Sequence, residues 1–216
     1  MNKKGIVLLS GGIDSTTTLY IAKRKYNLVA LTFNYGQRHK KEIECAKKLA
    51  SLNNIKLYIV KIDLSWANSS LVNRKINVPL NRDLNTNEIP NTYVPARNII
   101  FLSYAFSLAE SLSIKNIFIG AHIQDYSCYP DCRPEFLKRF SEAVNFGIKK
   151  GGISIKAPLI YKSKKEIIKI GLKLNVPFKY TWSCYNGFKK PCLKCDSCRF
   201  RISAFESLGL TDPLLE

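Results

Sequence analysis

The sequence has no run approaching the ~18 uninterrupted apolar residues of a membrane-crossing helix. Its start is not expected to be a leader either. Met1-Asn2-Lys3-Lys4 precedes only the short apolar stretch Ile6 to Leu9, which runs into glycines instead of a cleavage site. The expectation is a cytoplasmic protein with no membrane partner. Acidic side chains are scarce, with 16 Asp and Glu against 34 Lys and Arg and a formal net charge of +18. The excess is mostly lysine, 25 against 9 arginines, spread along the chain beside abundant Asn and Ile. A nucleic-acid groove usually clusters arginine with aromatics. The charge therefore reads as compositional drift, and no nucleic-acid partner is expected. The one dense run, Lys162 to Lys173, reads as the solvated face of a helix. Internal repeats and low-complexity segments are absent, and 216 residues suffice for one domain with a small appendage.

Against these absences stands Ser10-Gly11-Gly12-Ile13-Asp14-Ser15, directly after Ile6-Val7-Leu8-Leu9. The apolar run reads as a buried strand, and two glycines allow a tight turn with little bulk. Asp14 or Ser15 is suited to cap the helix expected over Thr16 to Tyr26. A strand, a glycine turn and a helix start aim backbone N–H groups and the positive helix end at one spot, which suits phosphate. The lysine of the Walker pattern and the dinucleotide fingerprint G-x-G-x-x-G are both missing.

Further along, Leu28 to Asn34 and Lys56 to Ile62 read as strands, with a helix over Lys40 to Leu52 between them. That order predicts an α/β fold with a parallel, Rossmann-like sheet. Residues 65–95 break the rhythm with Pro79, Pro90 and Pro95 and read as an active-site flap, with Trp66, Leu71, Val72 and Tyr93 available for burial. Asn98 to Ile114 is apolar almost all round, so it is expected to be buried on more than one side, and it makes a symmetric homodimer plausible. Asn116 to Ala121 and Ile153 to Ala157 read as strands; Pro134 to Phe146, Lys164 to Leu174 and Ser197 to Leu208 read as helices.

Cys184, Cys192, Cys195 and Cys198 crowd one stretch, with Gly187 and Pro191 for its turns. Two C-x-x-C steps closed by an upstream cysteine suit a four-coordinate structural zinc. An iron–sulfur cluster is the rival and a disulfide pair the plain alternative. Cys45 reads as core. Cys128 and Cys132 flank an acidic motif and are candidates for a reactive thiol.

Ser10, Gly11, Gly12, Asp14, Ser15 and Thr16 resemble, position by position, the loop of the ATP pyrophosphatase (PP-loop) superfamily, whose members cleave ATP between the α and β phosphates. The other motifs are Asn34-Tyr35-Gly36-Gln37-Arg38-His39, Val94-Pro95-Ala96-Arg97-Asn98, the stretch Asp125 to Phe136 (DYSCYPDCRPEF) and Thr181-Trp182-Ser183-Cys184-Tyr185-Asn186-Gly187. Together with the cysteine tail, these resemble the 7-cyano-7-deazaguanine synthase family of queuosine biosynthesis, from Ile6 to Pro213.

The resemblance implies a PP-loop domain over 1–180 and a zinc-binding segment over 181–216 packed on it. It implies an ATP-dependent ligase that turns 7-carboxy-7-deazaguanine and ammonia into a nitrile by carboxylate adenylation, amide formation and dehydration. ATP, Mg²⁺ and Zn²⁺ are the implied cofactors. Leu9 to Thr16 and Arg38 would hold the nucleotide, with Asp14 on Mg²⁺. Asp14, Ser15, Arg97, Asp131 and Arg133 would be catalytic. Asp125, Tyr126, Tyr129, Asp131 and Arg133 would meet the substrate, and Cys184, Cys192, Cys195 and Cys198 the metal. His39 is left as a loop residue. His122 falls at a strand's C-terminal end, where ligands of open α/β sheets bind. Cys128 stands where the family usually has Gly, and His122 where it often has Asn. A PP-loop tRNA sulfur-transferase and a non-catalytic zinc-ribbon module are the alternatives.

Overall fold

The apolar run after Lys4 is buried on both faces, with Ile6 and Val7 fully enclosed, and becomes the middle of a sheet. The computed structural model describes residues 3–84, 88–122 and 129–215. Among them five parallel strands lie in the order β3-β2-β1-β4-β5. They are β1 (Lys3–Leu8), β2 (Tyr26–Asn34), β3 (Lys56–Lys61), β4 (Asn116–Phe118) and β5 (Ser154–Lys156). The helices are α1 (Ile13–Ala22), α2 (Lys41–Leu52), α3 (Arg97–Ser111), α4 (Pro134–Gly147), α5 (Lys164–Lys173) and α6 (Asp196–Glu206). The parallel α/β architecture expected from the strand–helix rhythm is therefore present.

The chain runs from β1 outward to β2 and β3, then returns to the other side of β1 for β4 and β5. The C-terminal ends of β1 and β4 are thus the switch point of the sheet, where open α/β sheets bind ligands. Two apolar layers bracket the strands. One includes Leu31, Phe33, Leu102 and Phe106; the other includes Leu19, Leu49, Ile167 and Phe205. Phe33 and Phe101 stack face to face with centroids 3.9 Å apart, fixing α3 across β2.

Three expectations are corrected. Helix α1 starts at Ile13 with Gly12 as its cap, so neither Asp14 nor Ser15 caps it; both sit in its first turn with their side chains available for other contacts. Its far end is Ala22, and Tyr26 opens β2 instead, where its ring packs edge-on against Phe118 at 4.9 Å. In α3 burial is one-sided: Leu102, Ala105, Phe106 and Ala109 are enclosed, whereas Ile99 and Tyr104 are exposed.

The described part of the flap is pinned down. Leu71, Val72 and Val94 join the core, while Trp66 is 70% exposed, against expectation. Arg82 Nε pairs with Asp196 Oδ2 at 2.9 Å, and Asn81 N donates to Lys194 O at 2.9 Å. The flap and the cysteine-bearing segment therefore hold each other.

Candidate functional site

A cavity of about 240 Å³ opens at the switch point. Leu9, Ser10, Gly12, Ile13, Asp14 and Ser15 line it from the glycine turn. Tyr35 and His39 reach it from just beyond β2, Glu42 from the start of α2, Arg97 and Asn98 from the start of α3, and Tyr129 and Cys132 from the stretch before α4. Lys164, Trp182, Tyr185 and Arg201 complete its wall.

The turn is self-braced. Ser15 Oγ accepts from Ser10 N at 3.2 Å and lies 3.0 Å from Ser10 Oγ, and Thr16 Oγ1 donates to Gly12 O at 2.7 Å. Thr16 is fully buried and Gly11 faces α2, so these two shape the turn without lining the cavity. Gly11 has φ +89°, and a Cβ there would lie 2.4 Å from Glu42 O and 2.9 Å from Ala46 N. Gly11→Ala would have to push α2 off the turn. We expect a melting temperature lower by about 5–10 °C and a large loss of ATP turnover, checked by thermal melts and pyrophosphate release.

Asp14 is the acidic residue of the turn, and its partners define the chemistry. Lys164 Nζ lies 2.7 and 2.8 Å from its two carboxylate oxygens, and His122 Nε2 lies 3.6 Å from Oδ2 and 3.1 Å from Lys164 Nζ. Burial works to raise the Asp14 pKa, but the Lys164 charge, then His122, outweighs it and holds the carboxyl well below the usual range. Asp14 is therefore ionised across the neutral range. A carboxylate offers about four lone-pair sites, so two contacts from Lys164 leave acceptor capacity for a cation.

Lys164 corrects the reading of Lys162 to Lys173 as a solvated face, because its side chain is only 14% exposed and turned into the cavity. It is the first residue of α5, whose cap is a reciprocal Ser163–Glu166 box. A lysine at the positive end of a helix is unfavourable unless an anion faces it. That mismatch was the available sequence signal.

Arg97 is held in place by Tyr35, with Nη1 3.4 Å from the hydroxyl and the guanidinium 5.9 Å from the ring centroid. Burial opposes its charge, but Tyr35, Tyr129 and Asp131 more than restore it and keep it firmly protonated. Tyr129 shares a contact of 3.3 Å with Thr92 Oγ1 and lies with its ring 6.0 Å from that of Tyr93.

Other expected site residues point elsewhere. Arg38 turns from the cavity, and its Nη2 donates to Asn73 O at 3.1 Å and Ile76 O at 2.8 Å, anchoring the flap. Asp131 is buried with both oxygens on Asn98, at 2.9 Å from the backbone N and 3.2 Å from Nδ2. It caps the start of α3 and so positions Arg97. Arg133 caps α4, is exposed and does not line the cavity. Asp125, Tyr126 and Cys128 lie outside the described residues. Cys132 does line the cavity, with Asn98 Nδ2 3.2 Å from its sulfur. Burial pushes the half-buried Cys45 thiol up to about 11, in keeping with a core role.

Cys184, Cys192, Cys195 and Cys198 place their sulfurs within 4.8 Å of one another. Backbone N–H groups of Asn186 and Cys192 point at Cys184 Sγ, and that of Cys195 at Cys192 Sγ, at 3.3–3.4 Å. Donors aimed at sulfur favour thiolates, and four thiolates make a closed metal site. The cluster is tied to the turn: Trp182 N donates to Gly11 O at 2.9 Å, and Lys41 Nζ reaches Lys189 O at 2.5 Å. Arg201 was missed by the sequence reading. It is buried, pairs through two nitrogens with Asp212 at 2.5 and 2.7 Å, and donates to Thr181 Oγ1 at 2.8 Å.

The fold is that of the PP-loop ATP pyrophosphatases. It is similar to NMN synthetase from Francisella tularensis (TM-score 0.55, 15% identity, 97% of this chain and 79% of that one). It is also similar to the U34-tRNA thiolase NcsA from Methanococcus maripaludis (TM-score 0.51, 19% identity, 96% and 66%). At these identities the likeness concerns architecture alone. Within that class, residues 4–209 match the family model of Queuosine biosynthesis protein QueC, and the chain belongs to that family. It is 50% identical over 217 residues to the 7-cyano-7-deazaguanine synthase of Picrophilus torridus, covering 98% of this chain and 90% of that protein. The synthases of Trichodesmium erythraeum (98% and 100% covered) and Clostridium kluyveri (98% and 97%) are each 48% identical to it.

Proposed function

We propose that the chain converts 7-carboxy-7-deazaguanine and ammonia to 7-cyano-7-deazaguanine at the expense of ATP, releasing AMP and pyrophosphate. The observation that carries this reading is the shared cavity, in which the Asp14–Lys164 pair on the glycine turn faces Arg97 and Tyr129. The turn and the start of α1 meet the departing pyrophosphate through backbone N–H groups. Lys164 adds positive charge where the leaving group gains negative charge. Magnesium, entering with ATP, would be held by Asp14 and would offset the same charge.

Arg97, which lines the cavity where Arg133 does not, would hold the substrate's anionic group, and Tyr129 would offer its ring to the heterocycle. Asp125 and Tyr126 keep the substrate contacts implied by the resemblance. The cysteine cluster would hold zinc. A tetrahedral site with Zn–S of about 2.3 Å sets sulfurs ~3.8 Å apart, close to the observed spread within 4.8 Å. An iron–sulfur cube would put each thiolate on a different iron and farther apart. Cytoplasmic residence and a homodimer, with Ile99 and Tyr104 of α3 as exposed apolar contacts, complete the proposal.

Mass spectrometry of a reaction containing the deazaguanine acid, ammonium and ATP is the direct test. The nitrile should appear together with AMP and pyrophosphate, and only when the acid is present. ADP as the nucleotide product, or ATP turnover indifferent to the acid, would overturn the reading.

A further inference from the structure

Among the described residues two carboxylates line the cavity, and they differ in one respect. Asp14 is neutralised by Lys164 at 2.7 Å. Glu42 has only His39 as an ion-pair partner among the described residues, with His39 Nε2 at 3.1 Å from Glu42 Oε2, and no lysine or arginine among them pairs with it. Burial raises the Tyr35 phenol; Arg97 works against that, and Glu42 adds a smaller push upward.

His39 is 2% exposed, and its Nδ1 has no hydrogen-bond partner among the described residues. A carboxylate can only accept, so Nε2–H donates to Glu42, and in the neutral imidazole Nδ1 is then the nitrogen that carries the free lone pair. A carboxylate fixing the tautomer of an imidazole so that its other nitrogen serves as a base is a general catalytic arrangement. The site is built for it. Gln37 closes the end of β2, accepting from Tyr35 N at 2.8 Å and donating to Phe33 O at 3.0 Å. The turn at Gly36, with φ +83°, then swings His39 toward the cavity. The ring of Tyr185 flanks the imidazole at 5.8 Å. The backbone carbonyl of Glu42 lies against Gly11, so the helix that carries Glu42 abuts the nucleotide turn.

Given the ligase reading above, on which this rests, we propose that Glu42 and His39 form the ammonium site, with His39 as the base that turns ammonium into the nucleophile. Ammonium is a small cation that cannot attack until it loses a proton. The Glu42 carboxylate, which no lysine or arginine among the described residues pairs with, draws it in. One N–H bond breaks, its electron pair stays on nitrogen, and the proton moves to His39 Nδ1. The freed ammonia forms a C–N bond to the adenylated carboxyl carbon as the C–O bond to AMP breaks. The second proton shed by that nitrogen goes to the departing phosphate or to water. The imidazolium returns its proton to solvent when product leaves. His39 Nδ1 is enclosed in this structure, so the ring must turn toward the cavity to meet the nucleophile, and Glu42 is the residue that positions it.

The test separates the two half-reactions. Acid-dependent ATP–pyrophosphate exchange reads adenylation without ammonia, and amide formation reads ammonia use. His39→Gln should lower amide formation from ammonium by about 100-fold and leave exchange within twofold of the unsubstituted protein. Glu42→Gln should raise KM for ammonium by about 10- to 100-fold with a smaller change in kcat. Hydroxylamine is largely neutral at neutral pH and needs no such deprotonation, so it should rescue His39→Gln by giving the hydroxamate at near the unsubstituted rate. Loss of exchange, or a raised KM for ATP in His39→Gln, would overturn the proposal and place the imidazole on the nucleotide. Unchanged ammonium use in either variant would overturn it as well. If the unsubstituted protein shows no acid-dependent exchange, the ligase reading itself fails. Thermal melts of both variants separate misfolding from chemistry, and a folded Glu42→Gln decides the matter if His39→Gln does not fold.

Discussion

Replacing Cys195 with serine should unfold the C-terminal segment and disable the nucleotide turn with it. Structural zinc contributes about 10–16 kcal/mol in zinc-finger peptides, as much as the whole stability of an ordinary domain, about 5–15 kcal/mol. With zinc in the cluster, as proposed above, loss of one thiolate weighs on the entire chain. Three links carry the damage inward. Cys195 caps α6, and Cys198 lies in its first turn. Arg201, on the same helix, grips Asp212 and Thr181 in the interior. Trp182, next to Thr181, holds Gly11 O with its backbone N–H. We expect the variant to lose bound zinc, to melt well below the unsubstituted protein and to lose acid-dependent exchange. Metal analysis, thermal melts and the exchange assay check these points together. A strong chelator added to the unsubstituted protein should reproduce the effect. Folded, active protein purified without zinc would sink the structural-metal claim.

The turn, the strands around it and the cysteine cluster were legible because each rests on local pattern. An apolar run, two glycines and a helical repeat describe neighbours in sequence, and Cys192, Cys195 and Cys198 are spaced by the turns that bring them together. The partners of these elements were not legible, because they are joined only by folding. Lys164 meets Asp14 from 150 residues away. Among other lysines it looked like surface, and only its place at the positive end of α5 marked it. Arg201 sat in a short helix beside the cysteines without any sign of its partner Asp212. Arg38 and Asp131 show the reverse case. Their motifs suggested ligand contacts, but Arg38 satisfies flap carbonyls and Asp131 satisfies the start of α3. A charged side chain in a characteristic motif can be there to hold backbone that would otherwise lose its hydrogen bonds. His39 passed as a loop residue because its value lies in what the fold leaves unpaired, the Nδ1 lone pair.

Replacing Asp14 with alanine should abolish adenylation while leaving the fold intact. Side-chain groups of the turn bond mainly to one another, through Ser10, Ser15, Thr16 and Gly12 O, and none of those bonds uses Asp14. Its side chain is 27% exposed, so alanine leaves no sealed cavity. What changes is charge. Lys164 Nζ and His122 lose the anion that holds them, and the turn loses its carboxylate ligand for the cation that accompanies ATP. Removing a single group that stabilises developing charge typically costs about 10²–10³ in kcat, and here a cation ligand and the anchor of Lys164 go together. Exchange should fall by at least about 10³-fold, with a melting temperature within a few degrees of the original. The linkage sign is fixed by the depressed pKa. The Asp14–Lys164 pair stabilises the fold at every pH above the ordinary carboxylate range, and that share is lost only as pH falls below it. The two melting curves should therefore converge in acid and differ modestly at neutral pH. An active Asp14→Ala protein would remove the turn from the chemistry. Lys164→Met gives the complementary reading: Asp14 would keep its place on the turn, and a loss of exchange comparable to that of Asp14→Ala would show that the pair acts as one unit on the departing pyrophosphate.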